Sequence, residues 1–80
     1  MIVTTGLTVP EGEIIETIGI VRGEYTKLMA EAREQAYDRM VTHAQSVGAD
    51  AVIGVNFTTS MITQGAAEIL AYGTAVKLKR

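Results

Sequence analysis

Residues 44–57 read AQSVGADAVIGVNF, and within this stretch a helical pattern changes into a strand pattern. The residues before Gly48 continue a helical period, whereas from Ala51 onward apolar and polar residues alternate as they do in a strand. Gly48 stands where a residue in left-handed conformation commonly ends a helix, because glycine takes positive φ without steric strain. We therefore predict that Gly48 is a structural helix stop and that Ala49 and Asp50 turn the chain into the strand.

Upstream of Gly48 the helical pattern extends back to about Tyr25. Apolar residues recur at spacings of three and four and predict one buried stripe, formed by Leu28, Ala32, Ala36, Met40, Ala44 and Val47. The alanines in this stripe would allow the helix to lie close to a sheet. A second row is also less polar than a free surface requires, and it consists of Met29, Ala30, Tyr37 and Val41. We interpret this row either as flanking core contacts or as a candidate subunit interface.

Residues 13–24, EIIETIGIVRGE, predict a strand that is apolar on both faces. Alternation places Ile14, Ile18 and Ile20 on one face, and Ile15, Thr17 and Val21 on the other. A strand of this kind is usually buried on both sides. In a single two-layer domain, the face of this strand that points away from the helix would be exposed to water. The pattern therefore favours a partner subunit that covers this face.

The stretch after Gly48 predicts a hairpin. Alternation over residues 49–62 predicts an apolar face of Ala51, Ile53, Val55, Phe57 and Met61, with Gly54, Asn56, Thr58 and Ser60 opposite. A turn at residues 63–65 and a returning strand at residues 67–79 follow. Glycines inside the predicted strands indicate bulges or close backbone approaches, at Gly19, Gly54 and Gly73.

With a short first strand at residues 2–5, the element order predicts one α+β domain over residues 1–80. Its subunit would be a two-layer β-β-α-β-β arrangement, with one long helix packed on an antiparallel-type sheet. Hydrophobic residues make up 48% of this 80-residue chain, a high share for a small domain with a large surface-to-volume ratio. The composition therefore also predicts that other subunits cover part of the surface.

Composition and charge argue against several classes of protein. The chain has no cysteine, so it forms neither disulfides nor thiolate sites. The chain has seven Lys and Arg and nine Asp and Glu, so it lacks the excess of positive charge that is typical of nucleic-acid-binding proteins. Charged residues interrupt each apolar run before it reaches membrane-spanning length, and the first residues lack the pattern of a signal peptide. We expect a cytoplasmic protein without nucleic-acid or membrane partners.

The sequence gives little indication of a catalytic site. His43 is the only histidine, and a lone histidine on a helix is far more often a surface or interface residue than a general base. The glycines match no phosphate-binding motif, and GxSxG is absent. We therefore predict a non-enzymatic protein with no catalytic residue and no cofactor-binding residue.

A metal- or small-ligand-binding module is the alternative function. Two loose groups of carboxylates are more typical of solvated charge than of a metal site, namely Glu11, Glu13 and Glu16, and Glu31, Glu34 and Asp38. Around a cyclic axis, however, one carboxylate or His43 becomes a ring of such groups. Such a site would lie in a central channel or between subunits, and the sequence names no individual metal ligand.

Three segments resemble the YbjQ-like family of small bacterial and archaeal proteins. They are residues 27–57, KLMAEAREQAYDRMVTHAQSVGADAVIGVNF, residues 73–80, GTAVKLKR, and residues 17–24, TIGIVRGE. The resemblance covers nearly the whole chain and implies a dodecin-like two-layer subunit that assembles into a ring-shaped homopentamer. The family also carries a heavy-metal-binding label, although this chain has no cysteine to support it.

Typical members of that family contain an extra apolar, glycine-containing segment between the second strand and the helix. Here Glu24 leads directly into Tyr25, so the chain is a shortened form. Leu28, Ala30 and Val41 are apolar where the family tends to be polar or glycine, which fits a surface for a further protein partner. The expected function is thus a cyclic homo-oligomer, a homopentamer by resemblance, that serves as a scaffold.

Overall fold

A computed structural model describes the backbone of residues 1–63 and 66–79 and, outside residues 25–32 and 61–67, their side chains. The elements are β1 (Ile2–Val3), β2 (Glu13–Leu28), α1 (Met29–Ser46), β3 (Ala51–Thr63) and β4 (Ala66–Lys79). One helix packs on one face of a four-stranded sheet. The predicted α+β class is confirmed.

The sheet has the strand order β1-β3-β4-β2. The three long strands are antiparallel neighbours, as predicted. β1 runs parallel to β3, pairing Ile2 with Ala51 and Val3 with Val52, so the whole sheet is mixed. β2 forms one edge of the sheet, and the short β1 covers only the first part of the other edge.

The helix buries the middle of its predicted stripe against the sheet. Ala36, Met40 and Ala44 have no exposed surface and pack on sheet residues that include Val21, Val52, Val55, Ala71 and Ala75. These three positions confirm the helical period. Val47 does not belong to the stripe: it follows the end of α1 and is 39% exposed.

The helix begins later than its apolar period predicts. Residues 25–28 extend β2 and pair with β4, so α1 starts at Met29 and Leu28 lies in a strand. Pairing with a neighbouring strand outweighs the local helical pattern here, because intrinsic helix propensity is weak compared with tertiary contacts. The side chains of Leu28 and Ala32 lie outside the described residues, as does most of the predicted turn at residues 63–65.

Helix and sheet meet backbone to backbone at Gly23. A Cβ atom on Gly23 would lie against the carbonyl oxygen of Ala36 and the amide nitrogen of Met40. At Gly73 an added Cβ would lie 2.9 Å from the backbone carbonyl oxygen of Ile53, which agrees with the predicted close backbone approach there. At Gly23 the helix can pack directly on β2 because glycine has no side chain to separate the two backbones.

Bulges interrupt the strand alternation at the two other predicted glycines. The register shifts between Thr17 and Gly19 in β2 and between Ile53 and Asn56 in β3. Gly19 has φ 143° and Gly54 has φ 59°. A bulge adds one residue on one strand, so the side chains beyond it change face relative to strict alternation.

The bulge in β2 makes part of the predicted face assignment wrong. Val21 is buried on the helix side and Ile18 packs against the same cluster, whereas Ile20 is 74% exposed. Ile15 is 60% exposed at a further register shift. Within one chain β2 is therefore not buried on both sides.

The bulge in β3 splits its predicted apolar face. Val55 and Phe57 face the helix, but Ala51 and Ile53 belong to a second cluster on the opposite face of the sheet. That cluster contains Val9, Val76 and Leu78, and the amino-terminal segment covers it. This segment follows the edge of β3, where Gly54 donates to the Gly6 carbonyl at 2.8 Å and Val55 to that of Thr4 at 3.1 Å.

The junction after the helix is held by hydrogen bonds. Gly48 has φ 77°, and its N–H donates to the carbonyl of Gln45 at 3.1 Å while that of Ala49 donates to Ala44 at 3.1 Å. These two bonds form a Schellman motif, which satisfies carbonyls at the helix end. Asp50 then joins the sheet: its Oδ2 accepts the N–H of Leu78 at 2.9 Å. The described part of the chain contains no helix with the length and apolar character to cross a membrane.

We predict that Gly23→Ala destabilises the fold by about 3 kcal/mol, the upper part of the range for overpacking, because the new methyl group meets helix backbone rather than a movable side chain. Gly6→Ala is the matched control, since its Cβ would find Thr4 Oγ1 at an ordinary 3.5 Å. Urea denaturation followed by circular dichroism measures both. Equal midpoints for the two variants would contradict the contact at Gly23.

Asp50→Ala is expected to lower the free energy of unfolding by about 2 kcal/mol, because the N–H of Leu78 loses a charged acceptor in a partly buried place. Asp50→Asn keeps a neutral acceptor oxygen and should lose less. Asp38→Ala, which removes an exposed carboxylate from the helix, serves as the control in the same denaturation series. Indistinguishable stabilities of Asp50→Ala and Asp38→Ala would contradict this role.

Candidate functional site

The predicted interface row lies beside the helix stripe. Tyr37 and Val41 are half-buried and pack against the core of their own chain. Their flanking core contacts are thus visible within one subunit, while contact with another subunit stays a prediction. The side chains of Met29 and Ala30 lie outside the described residues, and the further protein partner suggested for Ala30 and Val41 also stays a prediction.

Two helix side chains cap the outer edge of β2. The backbone N–H of Arg22 donates to Nδ1 of His43 at 3.2 Å, and Nη1 of Arg39 donates to the carbonyl of Glu24 at 3.2 Å. β2 is an edge strand, so backbone groups on this side have no strand beside them among the described residues. Side chains that satisfy such groups protect an edge from unwanted pairing.

This arrangement leaves His43 poorly suited to a metal ion. A backbone N–H only donates, so Nδ1 accepts and the neutral ring carries its proton on Nε2. The described residues contain no group of three or more His, Cys, Asp or Glu side chains that could hold a metal ion. With no cysteine in the chain, no thiolate is available to a soft heavy-metal ion.

A cleft of about 560 Å³ lies beside the helix on the β3 side. It exists because α1 packs chiefly on β2 and β4 and has little contact with β3. The helix-side surface of β3 and the amino-terminal segment is therefore left partly uncovered. Its apolar and aromatic lining residues, here called its floor, are Val3, Tyr37, Val55 and Phe57, and its polar lining residues are Thr4, Thr5, Arg33 and Glu34.

The charged wall of the cleft is formed by the first described turn of helix side chains. The guanidinium carbon of Arg33 lies 4.6 Å from the centre of the Phe57 ring, a cation–π distance. Glu34 follows directly in the sequence and lines the same cleft. Sequence reasoning missed this site, because its walls come from three separate segments and no local spacing links them.

Three of the exposed large apolar side chains lie near the two edges of the sheet. Ile15 and Ile20 are 60% and 74% exposed on β2. Leu7 is 75% exposed at the opposite edge, where its Cδ2 lies close to Gly54 of β3. These side chains place apolar surface at two different edges of the subunit.

Comparison with known proteins gives consistent matches. The YbjQ family model described as "Putative heavy-metal-binding" matches residues 22–79. A UPF0145 protein of Methanosarcina acetivorans is 44% identical over 103 aligned positions, which cover 98% of this chain and 97% of that protein. A UPF0145 protein of Photobacterium profundum is 62% identical over 60 residues, covering 75% of this chain and 57% of the relative.

The alignment with the Methanosarcina protein is longer than the 80 residues of this chain, so that relative contains internal residues without a counterpart here. This agrees with the extra segment that the resemblance implied for typical members.

A solved structure has the same fold. It is a protein of unknown function from Pediococcus pentosaceus, assigned to the DUF74 family, with a TM-score of 0.78 and 17% identity. The similarity covers 99% of this chain and 98% of that one. The family model and the full-length relatives together show that this chain belongs to the YbjQ-like, or UPF0145, family.

Proposed function

We propose that the chain is a non-enzymatic protein that assembles with copies of itself into a ring. The observation that carries this proposal is the exposure of large apolar side chains at opposite edges of the sheet, Leu7 at one and Ile15 and Ile20 at the other. Burying each such side chain on association stabilises a contact by roughly 1.5–3 kcal/mol. Copies of the same chain can supply both halves of that contact.

The two apolar edges have different residues, and this difference limits the symmetry that an assembly through them can have. A contact between unlike surfaces is heterologous, and it yields a closed ring when the rotation between subunits closes. The homopentamer implied by the family resemblance is a ring of this kind. The cytoplasmic location, the scaffold role and the further protein partner expected from the sequence belong to the same proposal.

The capping of β2 supports contact through side chains rather than through continued strand pairing. His43 and Arg39 occupy backbone groups of Arg22 and Glu24 on the outer edge of β2. A neighbouring strand would have to displace both. The exposed side chain of Ile20 stands next to this capped segment and remains accessible.

Native mass spectrometry tests the assembly directly. The wild-type protein is expected at a mass near that of a pentamer of 8.6 kDa subunits. Ile20→Glu and Leu7→Glu should each reduce it to monomers, because a charge replaces an apolar contact. Gln45→Glu adds the same charge on the exposed helix surface and should leave the ring intact.

Mixing the two edge variants distinguishes the kind of interface. Each variant keeps one native edge, so a heterologous contact predicts a heterodimer that grows no further. A monomeric wild-type protein, or rings that survive both substitutions, would overturn the proposal. Metal analysis of the same wild-type sample tests the alternative prediction of an ion held between subunits.

A further inference from the structure

We infer that the cleft between α1, β3 and the amino-terminal segment binds a small zwitterionic molecule with an apolar body, the chemical class of an apolar α-amino acid. The inference concerns a site within one subunit and does not depend on the proposed ring. It rests on the size and floor of the cleft, on the charges of the helix wall, and on the hydroxyl of Thr4, which also lines the cleft.

The floor suits an apolar body. Val3, Val55 and Phe57 form it together with the half-buried ring of Tyr37, and the cleft measures about 560 Å³. Small-molecule sites are typically concave, of about 300–1,000 Å³, and mostly apolar with a few polar groups that set orientation. An aromatic or branched side chain placed here would cover apolar surface that the helix leaves open.

The helix wall carries one positive and one negative group. Neither Arg33 nor Glu34 forms an ion pair with another residue in the described part of the chain, and both line the cleft. Stacking over Phe57 restrains the guanidinium of Arg33, which reduces the entropy lost when it binds a carboxylate. A ligand that has only an anionic group meets the carboxylate of Glu34 as well. A ligand that has both charges satisfies both side chains.

Thr4, which also lines the cleft, adds a hydrogen-bonding group. Oγ1 of Thr4 accepts the N–H of Gly6 at 3.1 Å. A hydroxyl that accepts one hydrogen bond can still donate its own hydrogen. In this proposal the guanidinium of Arg33 and the hydroxyl of Thr4 are the groups that bind the carboxylate of the ligand, and Glu34 binds its ammonium group.

The test uses three probes with the same ring and different charges: phenylalanine, 3-phenylpropanoate and 2-phenylethylamine. Titrations of the isotope-labelled full chain at pH 7 are followed by amide and methyl NMR shifts. Phenylalanine is expected to give saturable shifts at Val55 and Phe57. The other two probes each lack one charge-assisted interaction and should bind roughly tenfold more weakly.

Two variants assign the charges. Arg33→Gln should make the affinity for phenylalanine equal to that for 2-phenylethylamine, which lacks the carboxylate. Glu34→Gln should make it equal to the affinity for 3-phenylpropanoate, which lacks the ammonium group. Arg22→Gln and Asp38→Asn are matched controls, because they remove the same charges outside the cleft and should leave all three affinities unchanged. The absence of saturable shifts for every probe, saturable shifts away from the cleft, or equal affinities of the three probes would overturn the inference.

Discussion

The rest of the structure depends on the direct contact between helix backbone and sheet at Gly23. The carbonyl oxygen of Ala36 and the amide nitrogen of Met40 lie against the position that a Cβ on Gly23 would take, and a further alanine of the same stripe, Ala44, is fully buried. Small residues on both sides allow a close packing that a chain of 80 residues needs, since its core is too small to tolerate gaps. This contact places the helix over β2 and β4 and therefore leaves space beside β3.

The two faces of the sheet are covered by different means. The helix covers one face, and the amino-terminal segment with Val9 covers one end of the other. Among the described residues, the uncovered apolar surface includes the cleft beside β3, the exposed isoleucines of β2 and Leu7 at the opposite edge. Both proposals follow from this division: the cleft has the size and polar groups of a small-molecule site, while the edges offer contacts for another subunit. The family description mentions heavy metals, but among the described residues no cluster of three or more His, Cys, Asp or Glu side chains could hold a metal ion.

The candidate site was much less accessible to sequence reasoning than the fold. The helix stripe at Ala36, Met40 and Ala44 and the close approach at Gly73 were predictable, because each depends on a short local pattern. The cleft combines Val3, Arg33 and Phe57, which are far apart in the sequence and come together only when the helix lies across the sheet. Likewise, nothing near His43 in the sequence indicated that it would cap the backbone of Arg22.

The sequence by itself determined the order of the elements, the end of the helix near Gly48, the antiparallel hairpin and the family, because periodicity, glycine positions and motif residues are local properties. Only the tertiary structure decided where the helix begins and which side chains face it. Pairing with β4 extended β2 to Leu28, and bulges at Gly19 and Gly54 changed the faces of the residues beyond them. The physical reason is that strand pairing and bulges depend on the neighbouring strand. The alternation of residues within one strand does not specify which residues of another strand it pairs with.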